Sequence, residues 1–177
     1  MSQLIMIIRH AEKPRPGADD IAIDAHGVAD PGGLSVRGWQ RAGALVPYFA
    51  SRTSSSRQPG IAPPATIFAA ASHGRTRRPA LTVAPLAAAL QVHVQAEHRS
   101  DGGEDEVIRR SLSATGPVLI CWRHEQIPVL AGALGVAEAA TRRWEEDCYD
   151  EVWVFARDDD IGWRWSVQHQ SLLAGDA

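Results

Sequence analysis

Two histidines and several arginines recur in this sequence at one kind of place, directly after a short apolar run. Leu4-Ile5-Met6-Ile7-Ile8 stops at Arg9-His10 and leaves through Ala11-Glu12-Lys13-Pro14. Thr66-Ile67-Phe68-Ala69-Ala70-Ala71 runs into Ser72-His73-Gly74-Arg75-Thr76-Arg77-Arg78. Pro117-Val118-Leu119-Ile120-Cys121-Trp122 ends at Arg123-His124-Glu125-Gln126. An arginine offers a planar fork to phosphate oxygens, and a histidine beside it can attack or shuttle a proton. Brought to one edge, Arg9, His10, Arg75 and His124 form a cationic cradle for a dianionic phosphoryl group.

That convergence needs parallel strands. Each apolar run reads as a buried strand, and in an open α/β sheet the groups just past the carboxyl ends face the ligand crevice. The stretch from residue 14 to 33 reads as a long loop. Ser35 is placed to cap a helix reaching Ala50, with Trp39, Ala42, Leu45, Val46 and Phe49 on its apolar face. Residues 51–64 have linker composition and are expected to be mobile. A helix follows Arg75 to about Leu90, with Pro79 in its first turn. A short strand is expected at Val92 to Val94, and an acidic helix start at Asp101 to Glu106. Glu151 to Arg157 and Trp163 to His169 alternate as a hairpin around Asp158 to Gly162, with Trp153, Trp163 and Trp165 covering one face. Strands alternating with helices predict a three-layer α/β/α sandwich with a mainly parallel central sheet.

Composition bounds the rest. At 177 residues the chain is expected to be one domain, residues 1–177, with a substantial core. A formal net charge of −3 gives no global pull toward nucleic acid or membrane. Two cysteines, Cys121 and Cys148, are too few for a disulfide framework and read as thiols of a reducing compartment. No stretch is long enough to span a bilayer, and the apolar start, interrupted by Arg9, is unlike a signal peptide. The expected compartment is the cytoplasm. Oligomeric state leaves no mark in the sequence.

The ordered set of motifs resembles the histidine phosphatase superfamily, which includes phosphoglycerate mutases and phosphohistidine phosphatases. The resemblance rests on Arg9-His10-Ala11-Glu12, on Leu34-Ser35-x-x-Gly38-x-x-Arg41-Ala42, and on Ala71-Ser72-x-x-Arg75-x-x-x-x-Ala80. It continues through Val118-Leu119-Ile120-x-x-x-His124 and Tyr149-Asp150-Glu151-Val152-Trp153-Val154-Phe155, spanning nearly the whole chain. The opening, with Ala11 where glycine is commoner, is most similar to the short, phosphohistidine-phosphatase-like branch. The resemblance implies a phosphoglycerate mutase-like fold and a metal-independent phosphatase without cofactor. It implies His10 as nucleophile, forming a phosphohistidine that water hydrolyses. Arg9 and Arg75 would hold the equatorial oxygens, and His124 would donate a hydrogen bond to the same group. Neutral His10 would need its far nitrogen held by a carbonyl or carboxylate, which the sequence does not name.

Spacing from Ser72 selects Arg75 from its basic run, with Arg77 and Arg78 reading as solvated. Arg123 either adds a cation to the pocket or projects to the opposite face, and Lys13 reads as a surface lysine. Larger relatives carry a glutamate that protonates the leaving oxygen. Here the candidates are Glu97, Asp101, Glu104 and Asp105, none in a recognisable motif. Without a dedicated acid the expected substrate is a phosphoprotein or a labile phosphorylated small molecule. A phosphate- or phosphoprotein-binding module with weak turnover would use the same pocket, and a phosphomutase is a third reading. His26 among Asp19, Asp20, Asp24 and Asp30 matches no metal-ligand spacing. His73 sits near the pocket mouth. His93, His98 and His169 have no evident partners.

Overall fold

The computed structural model describes residues 3–15, 17, 19–51, 58–72 and 76–176. Among these, six strands form one sheet: β1 (Gln3–Arg9), β2 (Thr66–Ala69), β3 (Val94–Gln95), β4 (Val118–Trp122), β5 (Glu151–Asp158) and β6 (Gly162–His169). Their order is β3-β2-β4-β1-β5-β6. The first four are parallel, and β5 runs antiparallel to both β1 and β6. Among the described residues five α-helices flank the sheet: α1 (Val36–Ala50), α2 (Arg78–Leu90), α3 (Glu104–Ser113), α4 (Ile127–Ala133) and α5 (Ala137–Thr141).

The central strands are apolar without interruption because both their faces are covered. Met6 and Ile8 of β1 pack with Leu45 and Phe49 of α1 and with Val83 and Leu86 of α2. Ile5 and Ile7 point the other way, toward Val107 of α3, Leu130 of α4 and Ala139 of α5. This is the expected three-layer sandwich. No helix among the described residues is long and apolar enough to cross a membrane.

Local chemistry sets the boundaries. Ser35 caps α1 as expected, its hydroxyl accepting from Gly38 N at 3.1 Å. Pro79 lies in the first turn of α2. That helix ends with Gln91 in the left-handed region at φ 56°, where Gln91 N and Val92 N donate to the Ala88 and Ala87 carbonyls. Val92 is therefore part of the cap, and β3 begins at Val94 rather than at the expected Val92. A turn through Gly102, at φ 112°, delays α3 to Glu104, later than the expected Asp101. The expected linker includes an anchored residue: Gln58 accepts from the Tyr48 hydroxyl and donates to the His169 carbonyl. The tryptophans cover one face, as expected. Trp144 stacks on Trp153 at 5.3 Å, and Trp165 meets Trp153 edge-on at 5.6 Å.

Candidate active site

Register brings the strand ends together. β1 and β4 pair through Arg9 and Trp122, and β2 and β4 through Ala69 and Cys121. His10 N donates to Trp122 O at 3.1 Å and Ala70 N to Cys121 O at 3.0 Å, so three segments leave the sheet at one level. The cavity they frame is about 180 Å³ and is lined by Arg9, His10, Lys13, Thr76, Arg78, Arg123, His124 and Glu125. His10, Arg9 and His124 meet there, as expected. Arg75 and His73 lie outside the described residues.

His10 is buried, and its Nδ1 lies 2.8 Å from the Ala11 carbonyl. A carbonyl can only accept, so Nδ1 carries the hydrogen and the lone pair stays on Nε2. Burial pushes the imidazole down from 6.5 to about 3. The Ala11 carbonyl opposes that shift, while Arg9, Arg78 and His124 add to it. His10 is thus neutral across the physiological range.

The loop carrying His10 is fixed from two helices. Ala11 N donates to the Thr82 hydroxyl at 2.8 Å, and that hydroxyl donates to Arg78 O at 2.8 Å, tying the loop to α2. Ser35 N and Ser35 Oγ both donate to the Glu12 carbonyl, tying it to α1. A Cβ on Gly38 would collide with that same carbonyl oxygen, so only glycine lets α1 approach this closely. The Glu12 carboxylate accepts from Arg41 Nη2 at 2.8 Å and from Arg37 Nε at 3.2 Å. The Ser35, Gly38 and Arg41 motif thus holds the His10 loop and does not line its cavity.

The arginines divide differently from the sequence expectation. Arg78 is half-buried, not a wholly solvated residue: it begins α2, lines the cavity, and donates from Nε to Gly33 O and from Nη2 to Pro31 O. Burial lowers its pKa, against the pull of Tyr149 and Asp30. Arg77 pairs with Asp30 on the surface. Two signals in the sequence mark Arg78, the proline that follows it at a helix start and Thr82 one turn later. Arg9 is buried and grips the segment before β5. Its Nη1 donates to the Glu146 and Cys148 carbonyls and its Nη2 to the Tyr149 hydroxyl at 3.2 Å, with the guanidinium 3.9 Å from the Tyr149 ring centre. Its Nε is buried without a partner among the described residues. Arg123 faces the cavity, which decides between its two expected positions. Lys13 also lines it and sits 3.8 Å from Glu146.

The four acids considered from sequence are elsewhere. Glu97 pairs with Arg110 and Asp101 with Arg99. Glu104 is buried and accepts from Trp122 Nε1 at 3.1 Å and Gly102 N at 2.8 Å. Asp105 is exposed in the first turn of α3. None lines the His10 cavity. His98 lies 2.8 Å from Arg110 Nη1, and His169 lies 3.1 Å from Asp150. Among the described residues no group of three His, Cys, Asp or Glu side chains is placed to hold a metal ion. Burial raises the thiols of Cys121 and Cys148, the latter to about 11.

No family model matches the sequence, and no curated protein matches it. Solved structures do. The protein histidine phosphatase SixA complexed with tungstate superposes with a TM-score of 0.57 at 10% identity, covering 95% of this chain and 97% of its own. A phosphoserine phosphatase variant from Entamoeba histolytica, in complex with phosphoserine, gives 0.55 at 9% identity, covering 96% and 98%. Phosphoglycerate mutase from Bacillus anthracis gives 0.52 at 11% identity, covering 95% and 92%. This chain has the phosphoglycerate mutase-like fold. Such coverage accounts for nearly the whole length of both partners, so the phosphoglycerate mutase-like fold here carries no large insertion relative to these three. At this level of identity the likeness is one of architecture, and function is argued from the site.

Proposed function

We propose that this chain is a metal-independent phosphatase that hydrolyses a phosphomonoester or phosphohistidine through a phosphohistidine intermediate on His10. The observation that carries the reading is the state of His10: buried, neutral, its Nδ1 fixed on the Ala11 carbonyl, in a cavity lined by cations. Nε2 attacks phosphorus in line with the leaving group. Arg78, Lys13 and Arg123 neutralise the equatorial oxygens, and His124 donates to the phosphoryl group. Arg9 adds charge from beneath and fixes the loop before β5. Arg75 is the alternative second arginine, and its exchange for Ala separates it from Arg78. Water then releases phosphate from His10. The kinship of fold with phosphatases of phosphohistidine and phosphoserine supports a phosphoprotein or a phosphorylated small molecule as substrate.

The test is hydrolysis of p-nitrophenyl phosphate in EDTA by wild type, His10→Ala, Arg78→Ala and Arg75→Ala. Turnover abolished in His10→Ala and reduced about 10²–10³-fold in Arg78→Ala, the scale of a lost oxyanion donor, is expected. Full activity in His10→Ala overturns the reading. One observation favours a second reading, a phosphate-binding module with weak turnover: Arg9 spends its terminal nitrogens on carbonyls and Tyr149. Tight binding of vanadate without hydrolysis of any phosphoester would select it.

A further inference from the structure

If the chain is the phosphatase proposed above, its leaving group still needs a proton. Among the described residues lining the His10 cavity, Glu125 is the only carboxylate. Its Oε2 lies 3.2 Å from His124 Nδ1 and 3.8 Å from Arg123 Nε. That Nδ1 is buried and makes no hydrogen bond with any described residue, and the Glu125 carboxylate is the acid within ion-pair distance of it. With Nδ1 turned to Glu125, the ring nitrogen that remains for a ligand is Nε2.

We propose that Glu125 is a positioning residue that holds His124 by Nδ1–H, so that protonated His124, and no separate carboxylic acid, gives the leaving group its proton through Nε2. In the first step the His10 Nε2–P bond forms as the bond from phosphorus to the leaving atom breaks. The electrons of that bond go to the leaving atom, which takes the His124 Nε2 proton. In the second step the now neutral His124 accepts a proton from the attacking water as phosphate leaves His10. Glu125 remains anionic throughout, as a carboxylate behind an imidazolium does in hydrolytic triads.

The charges facing His124 are mixed. Arg9 from β1 and Lys13 from the loop after it favour the neutral ring. Glu125 in its own turn and Glu146 before β5 favour the cation. Burial is the largest influence and, with Arg9 and Lys13, outweighs the two acids, so the His124 pKa lies below its ordinary value; without Glu125 the cation loses further support on the side of its buried nitrogen. An arriving phosphoryl dianion adds negative charge to the cavity and pushes toward the protonated form needed for transfer. Glu146 is the weaker partner, being largely exposed and 3.8 Å from Lys13.

The experiment compares wild type with Glu125→Gln, a surface exchange. Ring-nitrogen NMR titration of His124 should show its pKa falling by about one unit in the variant, with His10 unmoved. The alkaline limb of kcat/KM should move down by the same amount. Hydrolysis of phenyl phosphate, a poor leaving group, should fall about tenfold, and that of p-nitrophenyl phosphate less than threefold. An unchanged His124 titration, or equal losses on the two esters, overturns the proposal. If His10→Ala hydrolyses both esters like wild type, the phosphatase reading fails on its own, and the NMR titration still decides whether Glu125 sets the charge of His124.

Discussion

The far nitrogen of His10 rests on a backbone carbonyl, that of Ala11, and not on a carboxylate of any described residue. A neutral acceptor fixes the tautomer without raising basicity as strongly as a charged one would, and burial keeps the ring unprotonated. The residue that supplies this carbonyl is itself held through its N–H by Thr82, which is fully buried. Thr82→Val keeps the shape and removes the acceptor, stranding Ala11 N. A buried donor left unpaired costs about 1–3 kcal/mol, so the urea midpoint should fall, and kcat should fall with it while far-UV circular dichroism stays unchanged. At this scale the sequence located His10, Arg9 and His124 because each ends an apolar run. It misplaced Arg78, because spacing from Ser72 singled out Arg75 and left the rest of the basic run as a solvated face. Pro79, fixing where α2 begins, and Thr82 one turn on are the local marks that point to it.

At the scale of elements, the site exists because parallel register ends β1, β4 and β2 within a residue of one another, while α1 and α2 press on the loop that follows β1. Gly38 is where α1 touches that loop. Alanine is favoured over glycine inside a helix by about 1 kcal/mol, which alone would make Gly38→Ala stabilising. The added Cβ, however, meets the Glu12 carbonyl oxygen, a backbone atom that cannot swing aside. Overpacking against a fixed backbone costs about 1–3 kcal/mol, so the net effect should be a lower melting temperature and a larger loss of hydrolysis than stability explains. The helices and strands were legible from periodicity and capping residues such as Ser35. The bounds of β3 and α3 were not, because a left-handed Gln91 and a Gly102 turn decided them through backbone geometry.

Across the whole molecule, the last described residues return to the first loop. Arg41 is buried between Glu12 and Asp176, and Asp176 also accepts from Leu172 N and Leu173 N. Burial would raise the Asp176 carboxyl, but Arg41 and these backbone donors outweigh it and hold the group at about 2. Its folded pKa lies below the ordinary 3.8, so the stability it contributes is present above that value and is lost as pH falls toward 2. His10 acts in the same direction over a wider window. The unfolded ring takes a proton near 6.5 and the folded ring only near 3, so stability declines as pH falls between them. Urea midpoints measured from pH 7 to pH 2 should therefore fall throughout the acid range. Asp176→Asn should lower the midpoint at pH 7 and lose the part of the slope below pH 3.8, while His10→Asn should flatten the slope between pH 6.5 and 3.

The sequence by itself determined the layered α/β architecture and the strand ends from which His10, Arg9 and His124 project, because burial on both faces forces unbroken apolar runs and those runs stop where the chain reaches solvent. Tertiary structure alone decided which carbonyl holds His10, that Arg41 serves the His10 loop and not its cavity, that Arg123 faces that cavity, and that Glu125 is the carboxylate among its described lining residues. The first set depends on neighbours in the chain, which local periodicity records. The second depends on which distant segments meet once α1, α2 and the segment before β5 close over the sheet, and no local pattern encodes those distances.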